Sequence, residues 1–423
     1  MYRRIFFTSI FTAILAVTGL SSGFDGRTIV FDKNFHSLQV QLASNEFAPP
    51  VLMLGSSNDK LIVTFDEMTS ETHDLRYKLI HCNADWTPSA LVESEYVDGF
   101  NYADIEEREF SSATFADYVH YRFELPNDNM HFLVSGNYLV QVYPQDDEDK
   151  ILLQGRFYVC DDMLNVFNDI SSRTDDDYND RHQQVTIRLA QRTTQTVSSW
   201  WNDIKVNVRQ NMRDDNMETV YRPTLFESST AVFDHVRELI FPAGNEFRRF
   251  ECVQTNYPGM HIEKIRHREP FYHADLMIDK PRANVQYLYD QTQHGHYKIR
   301  QSDANDSDVN ADYVVVHFTL VAPQRQDGKI YLAGDLTYND YSKDNEMRYN
   351  TATSQYELSK FLKMGAYNYQ YLFVPNGSSV GYTSVIEGDH YETVNEYFTT
   401  VYYHPVGERY DHLVGYAIGY AGK

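Results

Sequence analysis

The stretch His-Cys-Asn-Ala-Asp-Trp at residues 81–86 brings several side chains capable of chemistry close together. A histidine beside an acid can act as a general base, and His81 with Asp85 would form such a pair. The sequence places no nucleophile where this pair could activate it. Sandwich folds often bury one Trp against the opposite sheet, so we interpret Trp86 as a structural residue. A surface anchor for a protein partner is the alternative.

Two further groups of side chains could bind a metal ion. His294 and His296 flank a glycine and would share one face of a strand, but no third ligand is marked nearby. Asp175, Asp176 and Asp177 form an acidic run among turn-forming residues. We interpret the first group as a solvent-facing turn and the second as a solvated one. The sequence therefore predicts no metal site in either place.

A third acidic group resembles the start of a calcium loop. Asp306, Asp308 and Asn310 have the required spacing. Ala311 occupies the position that needs glycine, and His317 the position that needs a bidentate glutamate. We interpret this segment as a linker.

No Gly-rich phosphate loop, GxSxG elbow or HExxH motif occurs, so we expect neither an enzyme nor a cofactor.

The three cysteines, Cys82, Cys160 and Cys252, leave two possibilities open. Cys82 and Cys160 fall in the same predicted domain and could form a disulfide. Free cysteines are also among the most buried residue types. We favour three small, buried, unpaired side chains.

Short segments with alternating side-chain character run along the chain and are separated by turn-forming pieces. This pattern, rich in Val, Tyr, Phe and Thr, is typical of half-buried strands. We predict an all-β protein of tandem immunoglobulin-like sandwiches at residues 24–162, 163–305 and 306–423, the middle one being a β-rich domain. Residues 228–241 are the exception, because they could form a short helix.

The first 23 residues predict a signal peptide. Arg3 and Arg4 precede an apolar stretch that ends in small residues before Phe24. The whole chain carries a net charge of −23, and removal of this leader would make it −25. Such acidity argues against nucleic acid or anionic lipid as a partner.

A Gly-x-Tyr motif precedes an alternating segment twice. Gly136 and Tyr138 match Gly365 and Tyr367. A tyrosine that follows such a turn and bonds back to the main chain is a known corner of β-sandwiches. The repeat therefore supports two sandwiches of related build.

The last predicted domain resembles the glycogen-binding modules, immunoglobulin-like (E-set) sandwiches attached to starch enzymes. The resemblance rests on Gly-Asp-Leu at residues 334–336 and on Gly-Ala-Tyr-Asn-Tyr at residues 365–369. The sugar-stacking Trp of those modules is missing, and only Tyr338 and Tyr341 stand nearby. The resemblance implies the fold more strongly than it implies sugar binding.

Most of the chain resembles one family. Residues 77–105, 118–130, 135–143 and 155–159, and later residues 387–415, are similar in order to the plug proteins of the type IX secretion system of Bacteroidetes-type bacteria. This resemblance implies a non-enzymatic periplasmic protein that seals the periplasmic opening of the giant outer-membrane β-barrel translocon when no cargo is engaged. The protein would be peripheral to the outer membrane through that partner, with no small-molecule substrate.

The resemblance identifies no contact residues, so the partner-binding residues are unknown at this stage. A carbohydrate-binding β-sandwich protein of the periplasm or cell surface is the alternative function. Retention on a glucan would favour that alternative, whereas copurification with a barrel would favour the plug.

Overall fold

The computed structural model describes residues 24–56, 59–192, 200–227 and 229–422, which form seven β-sheets and very little helix. The alternating segments are strands with one buried face, as in Leu61–Glu67, where Leu61, Val63 and Phe65 are buried. The all-β prediction is therefore confirmed. The predicted signal peptide, residues 1–23, lies outside the described residues.

The N-terminal sandwich packs two sheets around one apolar core. One sheet has the order β1-β12-β11-β5-β7 with β3 parallel to β12, and the other has the order β2-β4-β9-β8. A short β6–β10 pair and one helical turn, α1 (Glu93–Tyr96), complete it. The strands are β1 Ile29–Val30, β2 Phe35–Leu42, β3 Val51–Met53, β4 Leu61–Glu67, β5 Leu75–Cys82, β6 Val97–Gly99, β7 Ala103–Asp104, β8 Glu107–Phe110, β9 Val119–Leu125, β10 Met130–Phe132, β11 Gly136–Pro144 and β12 Leu153–Cys160.

The middle sandwich pairs a sheet of order β13-β14-β18-β17, in which β19 also pairs with β14, with a sheet of order β16-β15-β29-β30. Its core holds side chains from both sheets, such as Ile187 and Val206. Its strands are β13 Leu164–Ser171, β14 His182–Gln191, β15 Ile204–Gln210, β16 Glu218–Val220, β17 Leu225–Glu227, β18 Thr230–Phe233, β19 Ile240–Pro242, β29 Glu396–Tyr403 and β30 His412–Tyr420. Two 3-10 turns, Trp200–Asn202 and Arg237–Leu239, belong to it.

The third sandwich pairs a sheet of order β20-β28-β23, extended by β25, with a sheet of order β21-β22-β24-β27-β26. Its core joins Phe250 and Tyr369 of one sheet to Phe318 of the other. Its strands are β20 Arg248–Cys252, β21 Ile262–Arg268, β22 Phe271–Leu276, β23 Tyr297–Ile299, β24 Tyr313–Leu320, β25 Gly328–Ala333, β26 Arg348–Asn350, β27 Gln355–Lys363 and β28 Gly365–Pro375. It also contains α2 (Ser307–Asn310) and the 3-10 turn Asp335–Thr337.

Strands from either side of residue 305 share sheets. Strands β20 to β23 precede that residue, yet they belong to the third sandwich. Strands β29 and β30 come from the end of the chain, yet β29 pairs with β15 in the middle sandwich. The segments 163–305 and 306–423 are thus interleaved in space rather than stacked in chain order.

The helix expected over residues 228–241 was wrong. The described part of this segment forms β18, a 3-10 turn and β19. Ala231 and Phe233 are fully buried and pair with β14 beside Leu189 and Ile187. A helix would take both side chains away from this core, so tertiary packing decides the conformation.

Both Gly-x-Tyr motifs form the expected corners. The Tyr138 hydroxyl donates to the Val134 carbonyl over 2.8 Å, and the Tyr367 hydroxyl donates to the Lys363 carbonyl. Gly136 has a φ of 147°, and a Cβ there would collide with the His81 ring. The first glycine is therefore required by both its backbone conformation and its close approach to the imidazole.

Candidate functional site

His81 and Asp85 do not form a catalytic pair. The His81 Nε2–H donates to the Ser135 carbonyl over 3.1 Å, and Nδ1 lies 2.8 Å from the Ser89 hydroxyl. Because a carbonyl can only accept, the neutral ring accepts the Ser89 proton at Nδ1. Asp85 instead accepts from the main-chain N–H and hydroxyl of Thr87. Burial lowers the pKa of His81 to about 4, which keeps the imidazole neutral as a structural link.

Trp86 is buried, as expected, but not against the opposite sheet of its own sandwich. Its side chain is 4% exposed and belongs to a cluster that includes Phe398, Tyr402 and Leu413 of the β29–β30 hairpin. The Arg156 guanidinium carbon lies 4.2 Å from the centre of the Trp86 ring. Trp86 therefore joins the N-terminal and middle sandwiches. The contact of Trp86 with β29 and β30 could not be predicted from the sequence, because these strands lie more than 300 residues further along the chain.

The side chains of His294 and His296, which flank Gly295, make different contacts. His296 Nδ1 lies 2.5 Å from the Asp335 carboxylate, whereas His294 has a φ of 52° and its ring packs beside Tyr420. Across the described ranges, no group of three His, Cys, Asp or Glu side chains could hold a metal ion. His296 therefore forms an ion pair with Asp335 of the 3-10 turn Asp335–Thr337.

The two acidic segments make local structural contacts. The Asp306 carboxylate accepts from the Asp308 N–H over 2.9 Å and caps helix α2. Asn310 donates to the Ser112 carbonyl of the N-terminal sandwich. The run of three aspartates forms ion pairs: Asp175 with His235, Asp176 with Arg237, and Asp177 with His182.

The tyrosines considered for sugar stacking are half-buried. The Tyr338 hydroxyl accepts from the Leu38 N–H over 3.1 Å, so this side chain contacts the N-terminal sandwich. Tyr341 packs against Tyr331, with 5.2 Å between ring centres. Neither presents an open aromatic face of the kind that a sugar ring needs. The three cysteines are buried and unpaired, which confirms the favoured interpretation.

A buried polar cluster fastens the third sandwich to the first. Lys363 Nζ lies 2.6 Å from Asp66 Oδ2, and His120 and Tyr313 also bind the Asp66 carboxylate. Burial alone would raise the pKa of Asp66, but the charges of Lys363 and His120 outweigh it and hold that pKa below its usual value. Lys363 also lies 4.3 Å from the centre of the Tyr118 ring. The cluster joins the two sandwiches through several bonds at once.

A cavity of about 190 Å³ lies where all three sandwiches meet. The first sandwich contributes Val40 and Arg156, the middle one Arg209, and the third one His296 and Tyr338. Arg209 Nε donates to Asp214 over 2.9 Å, and Arg156 pairs with the same carboxylate. Burial would lower the pKa of His296, but Asp335 outweighs this effect and raises it to about 9. The cavity is thus lined by charged groups from different sandwiches.

The loop between β22 and β23, residues 277–296, carries exposed apolar side chains on a firmly attached main chain. Val285, Leu288 and Tyr289 are 56%, 81% and 61% exposed. Long loops without secondary structure are uncommon in compact domains and are often functional. Three anchors hold this one: Arg282 to Glu387, Tyr287 to Glu246, and Asp290 to Arg249.

The 277–296 loop was not predicted from the sequence. The available signal was a stretch of about 20 residues without period-two alternation between two strand patterns. Such a signal indicates a loop, but it does not indicate which of its side chains face outward. Their orientation depends on the tertiary contacts that anchor the loop.

Among the described residues, no helix is long and apolar enough to span a membrane. The family model described as "Type 9 secretion system plug protein 1st domain" matches residues 35–161, which cover most of the N-terminal sandwich. No match was found among curated proteins.

One solved structure is similar over almost the whole chain. It is the crystal structure of a hypothetical protein from Parabacteroides merdae ATCC 43184, 42% identical in sequence, with a TM-score of 0.91. The alignment covers 93% of this chain and 99% of that one. An alkylpurine DNA glycosylase from Pseudomonas fluorescens aligns over 30% of each chain with 13% identity and a TM-score of 0.16, which carries no structural argument.

Proposed function

Because this chain belongs to the type 9 secretion system plug protein family, we propose that it closes the periplasmic opening of the outer-membrane translocon barrel when no cargo is engaged. The observation that carries this proposal is the family match over residues 35–161. We further propose that residues 1–23 direct export and that the mature chain is periplasmic. The role is that of a binding protein without catalysis or cofactor, held at the outer membrane by its partner.

The build of the protein supports a closing role. A pore wide enough for folded cargo needs a broad and stiff obstruction. The three sandwiches are joined by the buried Asp66–Lys363 pair and by the apolar cluster around Trp86. Interfaces closed by such buried groups resist relative motion of the sandwiches better than flexible linkers would. The protein therefore offers breadth without depending on a membrane span.

The 277–296 loop is the contact that we assign to the barrel. Its anchors order the main chain in advance, so binding costs little additional conformational entropy. Leu288 and Tyr289 are large and exposed, and Tyr is enriched among the residues that dominate binding energies. The acidic mature chain, at −25 after loss of Arg3 and Arg4 from the −23 of the whole chain, would be attracted to a basic rim around this apolar contact.

A deletion experiment tests the closing role. Loss of the gene should make the outer membrane permeable to large solutes, and loss of both this gene and the barrel gene should restore the barrier. Leakage that persists without the barrel, or no leakage in the single deletion, would contradict a plug. The protein should also copurify with the barrel from detergent-solubilised outer membranes.

Variants of the loop test the contact separately from folding. Leu288→Asp combined with Tyr289→Ala should reduce copurification with the barrel about tenfold or more, as loss of interface anchors does. Val406→Asp is the matched control, because Val406 is 97% exposed outside this loop. Equal copurification of the two variants would reject the loop as the contact while leaving the closing role open to the deletion experiment.

A further inference from the structure

The cavity at the junction of the three sandwiches contains a buried cation whose outer nitrogens are not satisfied. Arg209 is 1% exposed and lines this cavity. Its Nε bonds to Asp214, whereas Nη1 and Nη2 have no hydrogen-bond partner among the described residues. Buried guanidinium donors are normally satisfied, because burying a charged donor without an acceptor destabilises the fold. The arrangement therefore calls for an acceptor.

The charged groups of the wall are paired, but not one to one. Arg156 and Arg209 share the single carboxylate of Asp214. His296 is balanced by Asp335. The two remaining charged residues of the wall also have partners: Arg27 with Asp25 and Asp340, and Glu46 with Lys298. The Arg156–Asp214–Arg209 group therefore carries one net positive charge, whereas Arg27 has two carboxylate partners.

A second unsatisfied donor lines the same cavity from the third sandwich. His296 Nε2 is buried and has no hydrogen-bond partner in the described part of the chain. Its raised pKa of about 9, set by Asp335 against the effect of burial, keeps a proton on this nitrogen at neutral pH. Side chains with unsatisfied donors from two sandwiches therefore line the same cavity.

Apolar side chains also line the cavity, beside the polar Thr28, Gln39, Gln41 and Asn339. Leu38, Val40, Pro50 and Met212 line the cavity together with the Tyr338 ring. The volume of about 190 Å³ far exceeds the space that one water needs, but it lies below the usual range for drug-sized ligands. The space suits a small molecule or the last residue of a peptide, with one charged end and one apolar body.

We propose that this junction cavity binds a carboxylate carried on a small apolar body, with the carboxylate on Arg209 and the body against Val40 and Met212. A guanidinium presents two parallel N–H donors that match the two oxygens of a carboxylate. One negative charge would also balance the net positive charge of the Arg156–Asp214–Arg209 group. Since all three sandwiches supply the wall, bound ligand would stabilise their assembled arrangement.

Titration calorimetry on the full mature chain tests the proposal with 4-methylpentanoate as the probe. We expect saturable binding of 4-methylpentanoate, a melting temperature that rises with its concentration, and no binding of the uncharged amide of the same acid. A tetrapeptide ending in a free leucine carboxylate, compared with its C-terminal amide, distinguishes a peptide end from a free small acid. Absence of saturable binding of both carboxylates, equal binding of the amides, or tighter binding of inorganic phosphate would overturn the proposal.

Two variants locate the binding. Arg209→Gln should weaken binding of 4-methylpentanoate about tenfold or more, because the charged donor pair is lost. Ala48→Phe should obstruct the cavity from the N-terminal sandwich and abolish binding while leaving Arg209 in place. Arg325→Gln, which removes an exposed cation paired with Asp327, is the control and should bind normally. If Arg209→Gln does not fold, Ala48→Phe alone tests the location of the site. Unchanged affinity of Ala48→Phe for 4-methylpentanoate would refute it.

Discussion

Lys363 Nζ lies 2.6 Å from Asp66 Oδ2 across the contact between the first and third sandwiches, and both side chains are almost completely buried. The two residues are 297 positions apart in the chain. Each charge of such a buried pair is tolerated only while the other is present, because a lone buried charge is not compensated.

Removing one partner of this pair should destabilise the protein strongly. Lys363→Met leaves Asp66 charged and buried, and we expect the free energy of unfolding to fall by roughly 3–5 kcal/mol. The double variant with Asp66→Asn should be more stable than Lys363→Met alone. Urea denaturation measures these values, and Asp327→Asn in the exposed Arg325 pair is a control expected to change stability by under about 1 kcal/mol. A single variant as stable as the control would contradict the interpretation.

Trp86→Ala should destabilise the contact between the first and middle sandwiches. The variant removes a large buried ring from the cluster with Phe398 and Tyr402, and we expect a loss of roughly 3–5 kcal/mol. Phe100→Ala is the control, because Phe100 is 71% exposed. Normal stability of Trp86→Ala combined with lost partner binding would make Trp86 an anchor instead.

The free energy of unfolding should decrease as the pH falls from 6.5 towards 4, before most carboxylates are protonated. Burial lowers the pKa of His81 from 6.5 to about 4, so the unfolded chain binds more protons than the folded one between these values. The stabilising effect is present above pH 6.5 and is lost as the pH falls towards 4. We expect His81 alone to account for roughly 2–3 kcal/mol between pH 7 and pH 4.5.

Denaturant unfolding at these two pH values, in the native protein and in His81→Gln, measures that contribution. The variant should show a smaller difference between pH 7 and pH 4.5, because Gln does not titrate. An identical difference in both proteins would show that other groups govern the acid sensitivity.

The third sandwich should not bind starch-like glucans. Tyr338 bonds to the N-terminal sandwich and Tyr341 packs against Tyr331, so neither offers an open stacking face. Affinity electrophoresis in gels containing amylopectin should show no retardation. Retardation of the native protein that disappears in Tyr338→Ala would instead favour the carbohydrate-binding alternative.

Features set by nearby residues could be predicted from the sequence, and features set by distant pairing could not. The Gly136–Tyr138 and Gly365–Tyr367 corners depend on bonds only four residues long, so their motifs were sufficient. No residue near Ile204 in the sequence indicates its pairing with Tyr403, because an alternating strand can pair with many partners. The same reason explains why residues 228–241 were misread and why the junction cavity was not anticipated.

The return of β29 and β30 to the middle sandwich also bears on how the protein is made. These two strands are half of the sheet β16-β15-β29-β30, and they lie within the last 28 residues of the chain. A nascent or truncated polypeptide that lacks them leaves β15 with an unpaired edge and the ring of Trp86 without its cover. The middle sandwich therefore cannot be completed by residues 163–242 alone, because half of one of its sheets is supplied by residues 396–420.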